Sequence, residues 1–148
     1  MSQQNLEDTI LPTYGRTHHL IGLYVRSILN EHDIPLSKEQ IIVLSKLHHR
    51  DGQTQKELAK AIYRNKTTLA RILNKLENKG LAIRIKDEAD LRTNKIHITQ
   101  LGQRTIERVI PLLQSISQKI ESWLNKEELE NLKKSSTKIQ SQLQSLIK

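Results

Sequence analysis

Residues 65–86 change hydrophobic period in mid-stretch, and that change limits the folds open to this chain more than any other feature. Leu69, Ile72, Leu73 and Leu76 fall at i, i+3, i+4 and i+7, so on a helix over residues 65–80 they form one apolar stripe. Asn65 stands where its side chain can accept from the free N–H groups of the first turn, and Gly80 where a left-handed stop is needed. Directly afterwards Leu81, Ile83 and Ile85 alternate with Ala82, Arg84 and Lys86, and then Ile96 and Ile98 alternate with Lys95 and His97. Period two in β-branched residues predicts two strands of a hairpin with one apolar face. The polar stretch 87–94 between them is too long for a two-residue turn. Arg84, Lys86, Arg92 and Lys95 are expected to cluster at the exposed end of this hairpin.

The residues just upstream say what kind of unit this is. Thr54-Gln55-Lys56-Glu57 has the pattern of a capping box ahead of Leu58, Ala59 and Ile62, which predicts a helix of about two turns. Only Tyr63 and Arg64 separate it from the Asn65 cap, and the glycine often found in such a turn is missing. Two short helices joined tightly, with the second polar outward, make a helix-turn-helix, and a basic hairpin following it makes a wing. The outward side of the second helix carries Thr67, Arg71, Asn74 and Asn78, with Lys66, Thr68 and Lys75 at its margins. These side chains suit base edges and phosphates. Charge agrees: residues 56–95 hold 11 Lys/Arg against 5 Asp/Glu, whereas residues 1–55 hold 5 against 6. A concentrated basic block is the footprint expected for a polyanion.

Around this unit the chain reads as helical. Residues 1–12 are polar, end at Pro12 and are expected to form a loosely held arm. Tyr14, Ile21, Val25 and Ile28, with Leu20 and Tyr24 beside them, predict a long helix over residues 13–32 with a broad apolar face, ended by Asp33-Ile34-Pro35. Ser37 and Gln40 open the next helix as a capping box, and Ile41, Val43, Leu44 and Leu47 give it a core face. From Thr99 on, Ile106, Val109, Leu113, Ile116, Ile120 and Leu124 keep spacings of three and four through Pro111, where a kink or bend is expected. A last helix opens near Asn125 with Leu129, Leu132, Ile139, Leu143 and Leu146 at heptad-like spacing. The expected fold is mainly α with a small β-hairpin wing. Residues 37–99 form the winged helix-turn-helix lobe, and residues 13–32 and 100–148 form a helical dimerisation region within one domain of 1–148. The long stripes at 14–28, 106–124 and 129–146 exceed what a small winged lobe can cover, so they need each other and a second copy of the chain.

Other functions find little support. Without cysteine there is no disulfide, thiolate metal site or cysteine redox switch. A Gly-rich phosphate loop, a spaced carboxylate pair and a Ser-His-Asp arrangement are all missing, which argues against an enzyme and against a bound cofactor. Neither an apolar run near span length nor a leader at Met1 is present, so the expected location is the cytoplasm, with no membrane partner. Histidines occur as His18-His19, His48-His49, His32 and His97. Helix neighbours point about 100° apart, so neither pair chelates one ion simply. A site shared between His18 or His19 and His48 or His49 is the weaker reading, and ordinary surface or core-edge histidine, with no metal, the stronger.

Three pieces resemble the MarR (multiple-antibiotic-resistance regulator) family of bacterial winged helix-turn-helix regulators. They are Glu57-Leu58-Ala59 followed by Lys66-Thr67-Thr68-Leu69-Ala70-Arg71; Leu76-Glu77-Asn78-Lys79-Gly80-Leu81-Ala82-Ile83-Arg84, similar to L-E-x-K-G-L-x-x-R; and Asp87-Glu88-Ala89-Asp90-Leu91-Arg92, matching D-x-x-D-x-R, with Ile98-Thr99-Gln100-Leu101-Gly102 similar to L-T-x-x-G. Leu91, where the family is often polar or small, and Ile98, in place of the usual Leu, depart from the pattern. The resemblance implies a homodimer held by its first and last helices on a pseudo-palindromic double-stranded DNA site. It places the 65–79 helix in the major groove and the wing in the flanking minor groove, led by Arg92 with Asp90 braced against it. On the residues themselves, Thr67, Thr68 and Arg71 suit base readout, and Lys66, Lys75, Lys86, Lys95 and Gln55 suit phosphates. The resemblance further implies a repressor released by a small aromatic or anionic effector, bound near Tyr14, His18, His49 and residues 106–113. The competing reading is a winged-helix architectural or protein-interaction module without sequence preference.

Overall fold

The computed structural model describes residues 5–147. They divide into two compact units, with the boundary between Leu112 and Leu113. In the first, a 3₁₀ turn at Leu6–Asp8 precedes α1 (Ile10–Glu31), α2 (Lys38–His49), β1 (Gln53–Thr54), α3 (Gln55–Ala61), α4 (Lys66–Asn78), β2 (Ala82–Lys86) and β3 (Asn94–Ile98). Helix α5 (Gln100–Glu121) begins in the first unit and ends in the second, which also holds α6 (Lys126–Leu146). The fold is mainly α with a three-stranded antiparallel sheet of order β1-β3-β2. Helix α5 runs through Pro111 without interruption, and the boundary between the units falls just past it.

The capping chemistry expected from the sequence is made. Ser37 Oγ accepts from the Gln40 N–H at 3.2 Å while Gln40 Oε1 accepts from the Ser37 N–H at 3.2 Å. Thr54 and Glu57 exchange the same pair of bonds at 3.1 Å. Asn65 Oδ1 accepts from the Thr68 N–H at 2.8 Å. Asn125 and Glu128 close a further box at the start of α6, beyond those expected. Each box satisfies donors that a helix start otherwise leaves without partners. Three helices end alike. Asp33, Tyr63 and Gly80 take left-handed φ values of 55°, 55° and 71°, and the next residue's N–H reaches back to Leu29, Ala59 and Leu76 respectively. Tyr63 therefore fills, as an L-residue, the turn position where glycine is the low-strain choice.

The core of the first unit sits inside the α2–β3 segment. Val43, Leu44, Leu47, Leu58, Leu69, Leu73, Leu76 and Ile96 are fully buried, joined by Ile106 and Val109 from α5. Gln53 is buried too, its Nε2 donating to the Lys46 and Arg50 carbonyls at the end of α2. In the second unit Ile116 is buried and α6 buries no residue.

Three expectations need correction. Helix α1 starts at Ile10, so Pro12 lies in its first turn rather than ending an arm; its missing N–H would have had no intrahelical acceptor there. Residues 1–4 of the expected arm, and residue 148 of the expected dimerisation region, lie outside the described residues. The hairpin also has the opposite register to the one its apolar residues suggest. Arg84 pairs across from fully buried Ile96 and Ala82 from Ile98, whereas Ile83 and Ile85 oppose His97 and Lys95 on the outer face. Partners across a ladder share a face, so Ala82 and Arg84 point inward. Finally, the sheet gains a strand, β1, through Gln53 opposite Ile96 and Thr54 opposite Lys95. Two residues are too short a run to carry any period.

Candidate nucleic-acid interface

Helix α4 separates its two sides cleanly. Leu69, Ile72, Leu73 and Leu76 are buried, and Lys66, Thr67, Arg71, Asn74, Lys75 and Asn78 are exposed, with Thr68 half-buried at the edge. Of the cations here, Lys66 and Lys75 form no ion pair with another described residue. Arg71 does: its Nη2 donates to Glu39 Oε2 of α2 at 3.0 Å. Gln55 is the first residue of α3, with a half-buried side chain at the helix start.

The β2–β3 loop is shaped by two aspartates. Asp87 Oδ1 accepts from the Ala89 N–H at 3.1 Å; Asp90 Oδ1 accepts from the Arg92 N–H at 3.0 Å, and Asp90 Oδ2 from the Thr93 hydroxyl at 3.2 Å. The expected bracing of Arg92 by Asp90 thus runs through the backbone of Arg92, not its guanidinium. That guanidinium is exposed and makes no ion pair among the described residues, as is also true of Lys86. Lys95 is half-buried, with Asp87 Oδ2 at 3.9 Å. Leu91 projects into solvent at the tip.

Arg84 departs from the basic cluster expected at the hairpin end. Its Nε and backbone N–H both donate to Glu77 Oε1, at 3.0 and 2.9 Å, and Nη2 also meets Asn74 Oδ1. It clips β2 onto α4, so the hairpin is held against the helix by a partly buried, charge-assisted pair. Nothing local in the sequence distinguishes it from a surface arginine; Glu77, one turn before the helix stop, is the only hint.

The expected effector residues are not gathered in this chain. His18 Nε2 meets Lys38 Nζ at the first residue of α2. His49 is the last residue of α2, about 16 Å further along at the usual helical rise. Tyr14 and His49 are exposed. His97 is engaged elsewhere, with Asp51 Oδ2 at 3.2 Å. A cavity of about 310 Å³ opens instead between the α1–α2 loop, the end of α4 and the start of α5, with Ile34, Pro35, Leu81 and Leu101 in its wall and Lys79 and Arg108 beside them. Among the described residues no group of three or more His, Asp or Glu is placed to hold a metal, and no helix is long and apolar enough to cross a membrane.

Known proteins share this arrangement. The MarR family model matches residues 36–93. The transcriptional regulator HosA of Escherichia coli is 33% identical over 101 residues, covering 68% of this chain and 75% of HosA. Among solved structures, the MepR–DNA complex of Staphylococcus aureus is similar with a TM-score of 0.83 at 29% identity, covering 90% of this chain and 98% of MepR. A mutant MarR of E. coli with operator DNA is similar with a TM-score of 0.76 at 25% identity, covering 92% and 99%. The chain belongs to the MarR family of winged helix-turn-helix transcriptional regulators.

Proposed function

We propose that the protein is a homodimeric, sequence-specific repressor that acts in the cytoplasm on a pseudo-palindromic operator and is released by a small molecule. The observation that carries this reading is the exposed polar face of α4 set beside a wing whose exposed Arg92 and Lys86 side chains form no ion pair among the described residues. Thr67, Thr68 and Arg71 take the base-reading role, Arg71 alone having a two-donor fork for guanine O6 and N7. Lys66, Lys75, Lys86, Lys95 and Gln55 contact phosphates and so set register and orientation. Arg92 enters the minor groove, where a narrow groove's negative potential attracts it, and Asp90 holds the bend that presents it. Residues 37–99 act as the reading lobe. Residues 13–32 and 100–147, which leave Leu20, Leu23, Trp123, Leu132 and Leu146 exposed, pair with a second copy. MepR and MarR are both solved with DNA, which supports DNA as the partner.

For release, the cavity beside Lys79 and Arg108 is a better candidate than Tyr14, His18 and His49. It joins apolar walls to cations that an anionic effector needs. Selection from random duplexes, followed by titration of the selected and a scrambled duplex at one salt concentration, tests the proposal. Tighter binding of the selected duplex by about 10³-fold or more is expected of a specific regulator. Equal affinity for both would instead support an architectural or protein-interaction module.

A further inference from the structure

We propose that Glu39 is a positioning residue that fixes the aim of Arg71 and thereby sharpens sequence preference. The inference rests on the base-reading role of α4.

Arg71 sits in mid-helix on the exposed face of α4 and engages Glu39 through Nη2 alone, at 3.0 Å. One occupied Nη2 proton leaves the remaining N–H groups with a complete two-donor fork, so the pair does not consume the groups that guanine would need. Glu39 belongs to α2, and the start of α2 is tied rigidly to the end of α4. Lys79 Nζ donates to the Pro35 carbonyl at 2.6 Å and to Gln40 Oε1 at 2.9 Å, while Gln40 closes the Ser37 capping box. The carboxylate therefore stands on a platform whose distance from Arg71 is set by contacts independent of Arg71.

Charge placement points the same way. Glu39 lies in a cleft of about 370 Å³ shared with Arg26, Lys38, Arg71 and Lys75. Of these cations only Arg71 comes within ion-pair distance of it. An exposed pair of this kind contributes little to stability. A lone carboxylate in a basic cleft turned toward phosphates also weakens general DNA attraction. Its effect is on orientation: a long side chain restrained at one edge reaches one base position, whereas an unrestrained one reaches phosphates and several bases alike.

The test uses full-length protein and measures affinity for the selected duplex, for the same duplex with the Arg71-contacted guanine replaced, and for a scrambled duplex. Glu39→Gln should bind scrambled DNA more tightly by about two- to fivefold, having lost a charge that phosphates repel. The same variant should lose about five- to tenfold in discrimination between the guanine and its replacement. In an Arg71→Ala background, Glu39→Gln should leave that discrimination unchanged. Glu39→Asp, too short to reach Arg71 but still charged, should lose the same discrimination without the gain on scrambled DNA, and serves if the amide variant fails to fold. Discrimination that is unchanged or raised in folded Glu39 variants would overturn the proposal. A wild-type protein with no duplex preference would instead defeat the reading of α4 itself.

Discussion

Helices α4 and α6 begin from the same kind of sequence and end in opposite circumstances. Both carry an aliphatic stripe along one side, and both open on an asparagine cap. In 13 residues α4 buries Leu69, Ile72, Leu73 and Leu76; in 21 residues α6 buries nothing, with Leu132 and Leu143 each 49% exposed and Leu146 75%. Helix α1 resembles α6: Leu29 is its buried residue, and Leu11, Leu20 and Leu23 stand exposed. An aliphatic stripe does not by itself say what covers it. For α4 the cover comes from its own lobe, which leaves the opposite face open for the proposed DNA contact. For α1 and α6 no such cover comes from within their own units, and exposed apolar area is what an association surface offers. The proposed homodimer supplies it.

The two regions should therefore fail differently when mutated. Leu73→Ala, in the fully buried stripe, should cost about 2–5 kcal/mol of folding stability, seen as a lowered thermal midpoint. Glu at both Leu132 and Leu143 should leave the lobe folded by circular dichroism yet weaken dimerisation by about a hundredfold or more in sedimentation. Gly102→Ala falls next. Its Cβ would lie 2.1 Å from the Leu81 carbonyl oxygen, so α5 must shift away from the Leu81 backbone, at about 1–3 kcal/mol by denaturant titration. Arg71→Ala should lose about 1–3 kcal/mol on the selected duplex and relax preference at one position, with the dimer intact. Equal losses on selected and scrambled DNA would remove Arg71 from base readout. Lys75→Ala should weaken all duplexes alike and lower the slope of log affinity against log salt by about one.

How much was legible in the residues follows the range of the interaction involved. The stripe of α4, its Asn65 cap, its Gly80 stop and the boxes at Ser37 and Thr54 are local: each partner lies within four residues of the other, or is set by one residue's backbone preference. Gly102 was recognisable only as part of a motif, and the structure supplies the reason, the approach of the Leu81 carbonyl. The hairpin phase was not legible. Alternation permits two registers, and hydrophobicity alone favours Ile83 and Ile85 inward. What decides is Arg84, whose guanidinium is paired with Glu77 on another element and so is partly buried. Pro12 misled because proline both ends helices and begins them. Glu39 escaped notice for a similar reason to Arg84: its partner is 32 residues away. Within the candidate interface, residue types were readable and pairings were not.

Sedimentation equilibrium of the full chain at micromolar concentration tests most directly whether the uncovered stripes of α1 and α6 belong to a dimer. A mass of twice 17.1 kDa is predicted, persisting in moderate salt because the contact is apolar. A mass of 17.1 kDa from fully folded protein would contradict the account, leaving those stripes exposed and the two reading lobes without a fixed spacing.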